Sequence, residues 1–92
     1  MRILRRVPTV ALRAPLAALA GGAGRVDVDG RTVGEALLDL ERRHPALRGW
    51  VLDEKGRVRE HVNVFVGGEA GDADTPVPAG GTLHVLSAIS GG

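Results

Sequence analysis

Thr32 to His44 restricts the fold of this chain most, because it is the clearest amphipathic helix in 92 residues. Thr32 stands three residues before Glu35. At that spacing the threonine hydroxyl accepts the Glu35 amide, and the Glu35 carboxylate reaches back to the amide of Thr32. Val33, Ala36, Leu37, Leu40 and His44 recur on one stripe at helical spacing, with Glu35, Asp39, Glu41 and Arg42 off it and Leu38 at its edge. Pro45 disfavours helical backbone at the residue before it and ends the helix near His44. His44 then lies near the negative end of the helix dipole, which accounts for it without a catalytic role. A helix with one apolar stripe has to lay that stripe on another element.

The rest of the chain supplies strands. Arg2 to Val10 alternates Ile3, Arg5 and Val7 with Leu4, Arg6 and Pro8, and reads as a strand ended or bent by Pro8. Ala11 to Ala20 contains Pro15 and is stopped by Gly21-Gly22, so it reads as a loop with room for one helical turn. Arg25 to Asp29 puts Val26 and Val28 on one face and Asp27 and Asp29 on the other, before the turn signal Asp29-Gly30. Pro45 to Gly49 is a connector, with Leu47 and Trp50 available to cover the core. Val51-Leu52 can open a strand ahead of the charged turn Asp53 to Gly56. In Val58 to Val66 the valines share one parity and His61, Asn63 and Phe65 the other, so the valine face belongs to the core. Gly67-Gly68 permits a tight hairpin turn. Glu69 to Gly81 is loop with space for a brief edge strand, and its Glu69, Asp72 and Asp74 fit no calcium-loop spacing. Thr82 to Leu86 is the last strand, with Leu83 and Val85 opposite His84 and Leu86. One helix over one sheet face is a two-layer α+β domain.

Composition removes several functions. There is no cysteine, so disulfides, thiolate-bound zinc and a thiol nucleophile are excluded, and His44, His61 and His84 match no metal-ligand spacing. A net charge of +1 argues for neither nucleic acid nor membrane, and no apolar run approaches the roughly 20 residues that span a bilayer. The basic side is eleven arginines and a single lysine, Lys55, which leaves little scope for linkage through lysine side chains. Met1 to Gly24 is basic and apolar, but Arg13 and Pro15 interrupt any signal-peptide apolar region, and a cytoplasmic location is expected.

Leu86-Ser87-Ala88-Ile89-Ser90-Gly91-Gly92 finishes on two glycines that would hold a carboxylate on a thin stalk. Glycine is 14 of 92 residues, so the pair alone does not decide a function. Four other features accompany it: the hairpin before the helix, the Thr-Val-Gly-Glu-Ala-Leu cap, His61 to Val66 followed by Gly67-Gly68, and Gly80-Gly81-Thr82-Leu83 leading into the last strand. Together these resemble the MoaD/ThiS family of ubiquitin-like sulfur carriers over nearly the whole chain. Chain length and Arg2 to Thr9, ending in Val7-Pro8-Thr9, most resemble its CysO-like members, and the small subunit of a molybdopterin synthase, with the same tail chemistry, is the alternative.

The resemblance implies a β-grasp fold: a mixed four- to five-stranded sheet packed on one main helix, with the first and last strands adjacent and parallel at its centre. Residues 1–86 would form the domain and 87–92 a flexible tail. It also implies that Gly92 is the reacting residue. An E1-like activating enzyme would use ATP to adenylate its carboxylate, a sulfur donor would convert it to a thiocarboxylate, and a sulfur-accepting synthase would receive the sulfur. The chain itself would bind no cofactor and no metal, and would serve as a protein co-substrate. Gly91, without a side chain, would thread a narrow partner channel together with Ala88, Ile89 and Ser90. Phe65 and Leu86 have the parity opposite the valines. They either anchor a docking partner, with Arg5 and Arg59 as candidate rim residues, or, for Phe65, complete a second small core under a loop. A ubiquitin-like protein modifier and a plain interaction domain are the remaining readings.

Overall fold

The computed structural model describes residues 6–87. In chain order the elements are β1 (Thr9–Leu12), α1 (Leu16–Leu19), β2 (Arg25–Asp27), α2 (Val33–Arg43), β3 (Val62–Val66), β4 (Glu69–Gly71) and β5 (Thr82–Ser87), with a 3₁₀ turn at Pro45–Leu47. The strands form one sheet in the order β2-β1-β5-β3-β4. The β1–β5 pair is parallel and every other pair is antiparallel. This is the β-grasp arrangement, with the first and last strands side by side at the centre.

Alternation along the strands builds the core. Val10 and Leu12 of β1, Val62 and Val64 of β3, and Leu83 and Val85 of β5 are buried on one sheet face. Val33, Ala36, Leu37 and Leu40 of α2 belong to the same buried cluster. Each fully buried leucine or valine contributes roughly 1.5–3 kcal/mol of transfer free energy. Thr32 caps α2 by accepting the Glu35 amide at 3.2 Å. The return bond differs from the expected one: Glu35 Oε1 accepts the amide of Arg31, not of Thr32, at 2.8 Å. Two further first-turn amides, of Val33 and Gly34, donate to the carbonyls of Thr75 and Ala73. The helix N-terminus is therefore closed by the 72–77 loop.

Glycine is required at two places here. Gly67 and Gly68 both have positive φ, 59° and 84°, and join β3 to β4 as a two-residue primed turn. Gly30 has φ of 156°, and a Cβ there would lie 2.5 Å from the Ala36 amide nitrogen.

Several boundaries move. The described part of the first strand begins after Pro8 instead of ending near it. Pro8 has no N–H to give, but its carbonyl accepts the Val28 amide, so it leads into the strand and Ala11–Leu12 continue it. The helical turn allowed before Gly21 is α1. β3 is shorter than the Val58–Val66 alternation, because Val58 bridges back to Leu52 and the Val62 amide bonds the Arg59 carbonyl in a turn. β5 runs one residue beyond Leu86, since Ser87 pairs with Val62. Leu47 is fully buried, but Trp50 is 44% exposed and does not cover the core. Leu47, Val51 and Leu52, all buried, fill that place.

Candidate functional site

β5 brings the expected site residues together through its pleat. Its inward side chains, Leu83 and Val85, leave Thr82, His84 and Leu86 on the face away from α2. The register then sets a row across that face. Ala11 of β1 lies beside His84, His84 beside Phe65 of β3, and Phe65 beside Ala70 of β4. Leu86 pairs with Asn63, which makes Leu86 and Phe65 diagonal neighbours, roughly 7–8 Å apart for such positions. Both are half-buried and His84 is exposed. Among the described residues, Phe65 belongs neither to the buried core nor to the partly buried residues packed on it.

A cleft of about 410 Å³ continues this face at its β4 side, lined by Val66, Gly67, Gly68, Ala70, Thr82 and His84 among others. Ala88, Ile89, Ser90, Gly91 and Gly92 lie outside the described residues, as does Arg5. What is described is their root. β5 is bonded on both sides in the middle of the sheet and ends at Ser87.

Arg59 is not simply a rim residue of this face. Its Nε is buried without a hydrogen-bond partner among the described residues. It lies within electrostatic reach of Glu41 on α2, whose Oε2 is also buried and unpartnered. Burial pushes the Glu41 carboxyl above its usual range, against the opposing pull of the Leu52 amide and of Arg48 and Arg59. Asp39 behaves oppositely. It is buried although it lies off the apolar stripe of α2. Burial works to raise its pKa, but the Asp29 amide at 2.9 Å and Arg43 Nε at 2.6 Å outweigh that and hold the carboxyl below the usual range. Arg43 also faces Asp29 at 3.5 Å, so the cluster ties the segment after β2 to α2. These charges are structural and lie away from the open face.

Asp72, in the 69–81 segment, is likewise used locally. Asp72 accepts the Asp74 amide, and its own amide donates to Thr75. Among the described residues no group of three or more His, Cys, Asp or Glu is placed to hold a metal ion. Among them, too, no helix is long and apolar enough to cross a membrane.

Sequence parity located Phe65 and Leu86 on this face but missed Ala11 and Ala70 as their neighbours. Their membership depends on which strands pair and in what register. The alternation of His84 with Leu83 and Val85 was the one signal for the residue between them.

Residues 10–92 match the model of the ThiS family. Small archaeal modifier protein 1 of Haloferax volcanii is 43% identical over 83 residues, covering 88% of this chain and 95% of that protein. Its crystal structure superposes with a TM-score of 0.77, over 92% of this chain and 98% of the other. CysO of Amycolatopsis orientalis, crystallised in complex with BexX, superposes with a TM-score of 0.81 at 31% identity, over 92% and 99% of the two chains. CysO of Mycobacterium tuberculosis gives 0.79 at 26% identity, over 89% and 99%.

Proposed function

The chain belongs to the ThiS family, and from that premise we propose that it is a sulfur carrier whose working atom is the carboxylate carbon of Gly92. A carboxylate is a poor electrophile. An E1-like activating enzyme supplies ATP. A carboxylate oxygen attacks the α-phosphorus, pyrophosphate leaves, and an acyl adenylate with a good leaving group results. A sulfur nucleophile then attacks the carbonyl carbon, AMP departs, and the thiocarboxylate is passed to a sulfur-accepting synthase. The chain is a protein co-substrate in this cycle and contributes presentation.

One observation supports the reading: β5, the last described strand, ends at Ser87 from the centre of the sheet and is bonded on both sides. The five residues from Ala88 to Gly92, if extended, reach at most about 17 Å, enough to enter a partner's active site while the domain stays outside. Gly91 and Gly92 add no Cβ to such a channel. Phe65 and Leu86 are the docking anchors in this proposal, because a partner receiving the strand end meets the open face beside it. Small archaeal modifier protein 1 favours a second reading, a ubiquitin-like modifier joined to amines of other proteins. The small subunit of a molybdopterin synthase uses the same tail chemistry in a stable heteromer.

Intact mass spectrometry of the chain purified from its native host tests the proposal. The expected product is a species with one carboxylate oxygen replaced by sulfur, lost when Gly92 is deleted or one residue is added after it. Full activation of the deletion variant overturns the role of Gly92. Isopeptide conjugates on other proteins without any thiocarboxylate support the modifier. Neither proteins nor conjugates need yield a short remnant on trypsin, because no Lys or Arg follows Arg59. The attached tryptic peptide is the whole of residues 60–92.

A further inference from the structure

β2 is an edge of the sheet: among the described residues it pairs with β1 and with no other strand. The register decides which of its backbone groups that pairing uses. The Leu12 amide donates to the Gly24 carbonyl, and the Val28 amide to the Pro8 carbonyl. Val10 and Val26 are opposed at the same parity, so residues 24, 26 and 28 turn their N–H and C=O groups toward β1. Arg25 and Asp27 turn theirs the other way, out of the sheet, where no described residue takes them up. Such an edge is a template for another strand. The side chains follow the same alternation. Val26 faces inward and, at 9%, is the most exposed member of the buried core. Arg25 and Asp27 face outward and are exposed. Thr9 Oγ1 donates to Asp27 Oδ1 at 2.9 Å and holds that carboxylate on the outward face. Among the described residues Arg25 makes no ion pair. Two charges of one sign on an edge would repel a second copy of themselves, but these two are opposite.

We propose that this edge is a self-association surface: β2 pairs antiparallel with β2 of a second copy, centred on Val26. Arg25 then stands opposite Asp27 of the second copy, and Asp27 opposite its Arg25. Each opposed pair exchanges both of its N–H···O bonds, and each sets opposite charges together on the outward face. The two Val26 side chains meet at a non-hydrogen-bonded position on the inner face, where each covers what the other leaves exposed. The other registers fail. Centred on residue 25, arginine opposes arginine. Centred on residue 27, aspartate opposes aspartate. A slip by one residue sets Val26 against an outward position. β2 is short, so the dimer is weak and forms at high concentration. Its two-fold axis is perpendicular to the sheet. Both α2 helices therefore lie on one side and both open faces on the other, and the two Ser87 ends lie at opposite ends of the joined sheet. Neither Phe65 nor Leu86 takes part, so self-association is independent of the chemistry at Gly92.

The test is sedimentation equilibrium of the full chain over a concentration series reaching about 1 mM, with amide hydrogen exchange read on the same samples. The mean mass should rise toward twice that of the chain. Exchange at Arg25 and Asp27 should slow with the dimer fraction, while Ala70 on the other edge strand, β4, keeps its rate. Arg25→Asp and Asp27→Arg each oppose like charges, and each variant alone should be monomeric. Mixed in equal amounts they restore both opposite pairs, so the mixture should dimerise, as should the double exchange Arg25→Asp/Asp27→Arg by itself. A chain that stays monomeric throughout overturns the proposal. So does a dimer that survives either single exchange, or one in which Arg25 and Asp27 keep their exchange rates, because the contact then lies elsewhere. A mixture of folded variants that stays monomeric while the unaltered chain dimerises overturns the register. Far-UV spectra report whether each variant folds, and where one does not, the exchange rates of the unaltered chain decide.

Discussion

On β5, Leu83 and Val85 are sealed from solvent while His84, between them, is exposed. The same contrast runs across the sheet. Val10, Val64 and Val85 face α2, and Ala11, Phe65 and His84 face outward. Inward positions answer to volume and shape, because the cluster they join is closed. Outward positions carry no such constraint, so a phenylalanine and a leucine placed diagonally there are free to serve contact with another molecule. One short strand thus divides core side chains from outward ones by alternation alone.

Substitutions that probe one face at a time test this separation. Leu83→Ala empties a fully buried site and should cost about 2–5 kcal/mol in denaturant unfolding. A loss below about 1 kcal/mol would mean that the inner face is not the load-carrying one. Asp39→Ala probes the polar tie beside the core and should cost about 1–3 kcal/mol, because the Asp29 amide and Arg43 both lose their acceptor. The Asp39 carboxyl titrates below its ordinary 3.8 in the folded state, so its contribution is complete above that pH and disappears as the pH falls through the lowered value. The acid limb of the stability curve should flatten in Asp39→Ala, and an unchanged limb would remove Asp39 from the account.

Phe65→Ala should change stability by less than about 1 kcal/mol and weaken binding to the activating enzyme at least tenfold, read by titration calorimetry. If it unfolds the chain as Leu83→Ala does, the two faces are not functionally distinct. The smallest effect is expected at Glu41. Its carboxyl holds a proton more tightly folded than unfolded, so its penalty is absent in acid and grows as the pH rises above the ordinary 4.5. Glu41→Gln should remove that slope and raise the neutral-pH melting temperature slightly. A lower melting temperature would show that attraction to Arg48 and Arg59 outweighs burial.

Local rules were legible where one short signal decided the matter. The Thr32–Glu35 spacing located the start of α2, Pro45 its end, and Gly67-Gly68 the hairpin. The valine parity of β3 and β5 gave the inner face, and with it Phe65 and Leu86 outside. What escaped depends on contacts distant in sequence. Asp39 reads as a solvent position on a helical wheel, yet it is buried because the segment after β2 folds over it. Trp50 reads as core by hydrophobicity, yet Leu47, Val51 and Leu52 already occupy the space. Val58 continues an alternation that the Leu52 bridge interrupts. The open face was half-legible for the same reason: parity gave its members within a strand, and only pairing gave their neighbours.

The central position of β5 has a mechanical consequence. Hydrogen bonds run perpendicular to the strands in an antiparallel pair and slanted across them in a parallel one. A pull applied at Ser87 along β5 loads the bonds to β1 and to β3 together, in shear, and does not peel them one at a time. An edge strand pulled away from its neighbour would unzip at far lower force. A load on the described end of β5 is therefore shared by two ladders, and the domain answers it as a rigid handle.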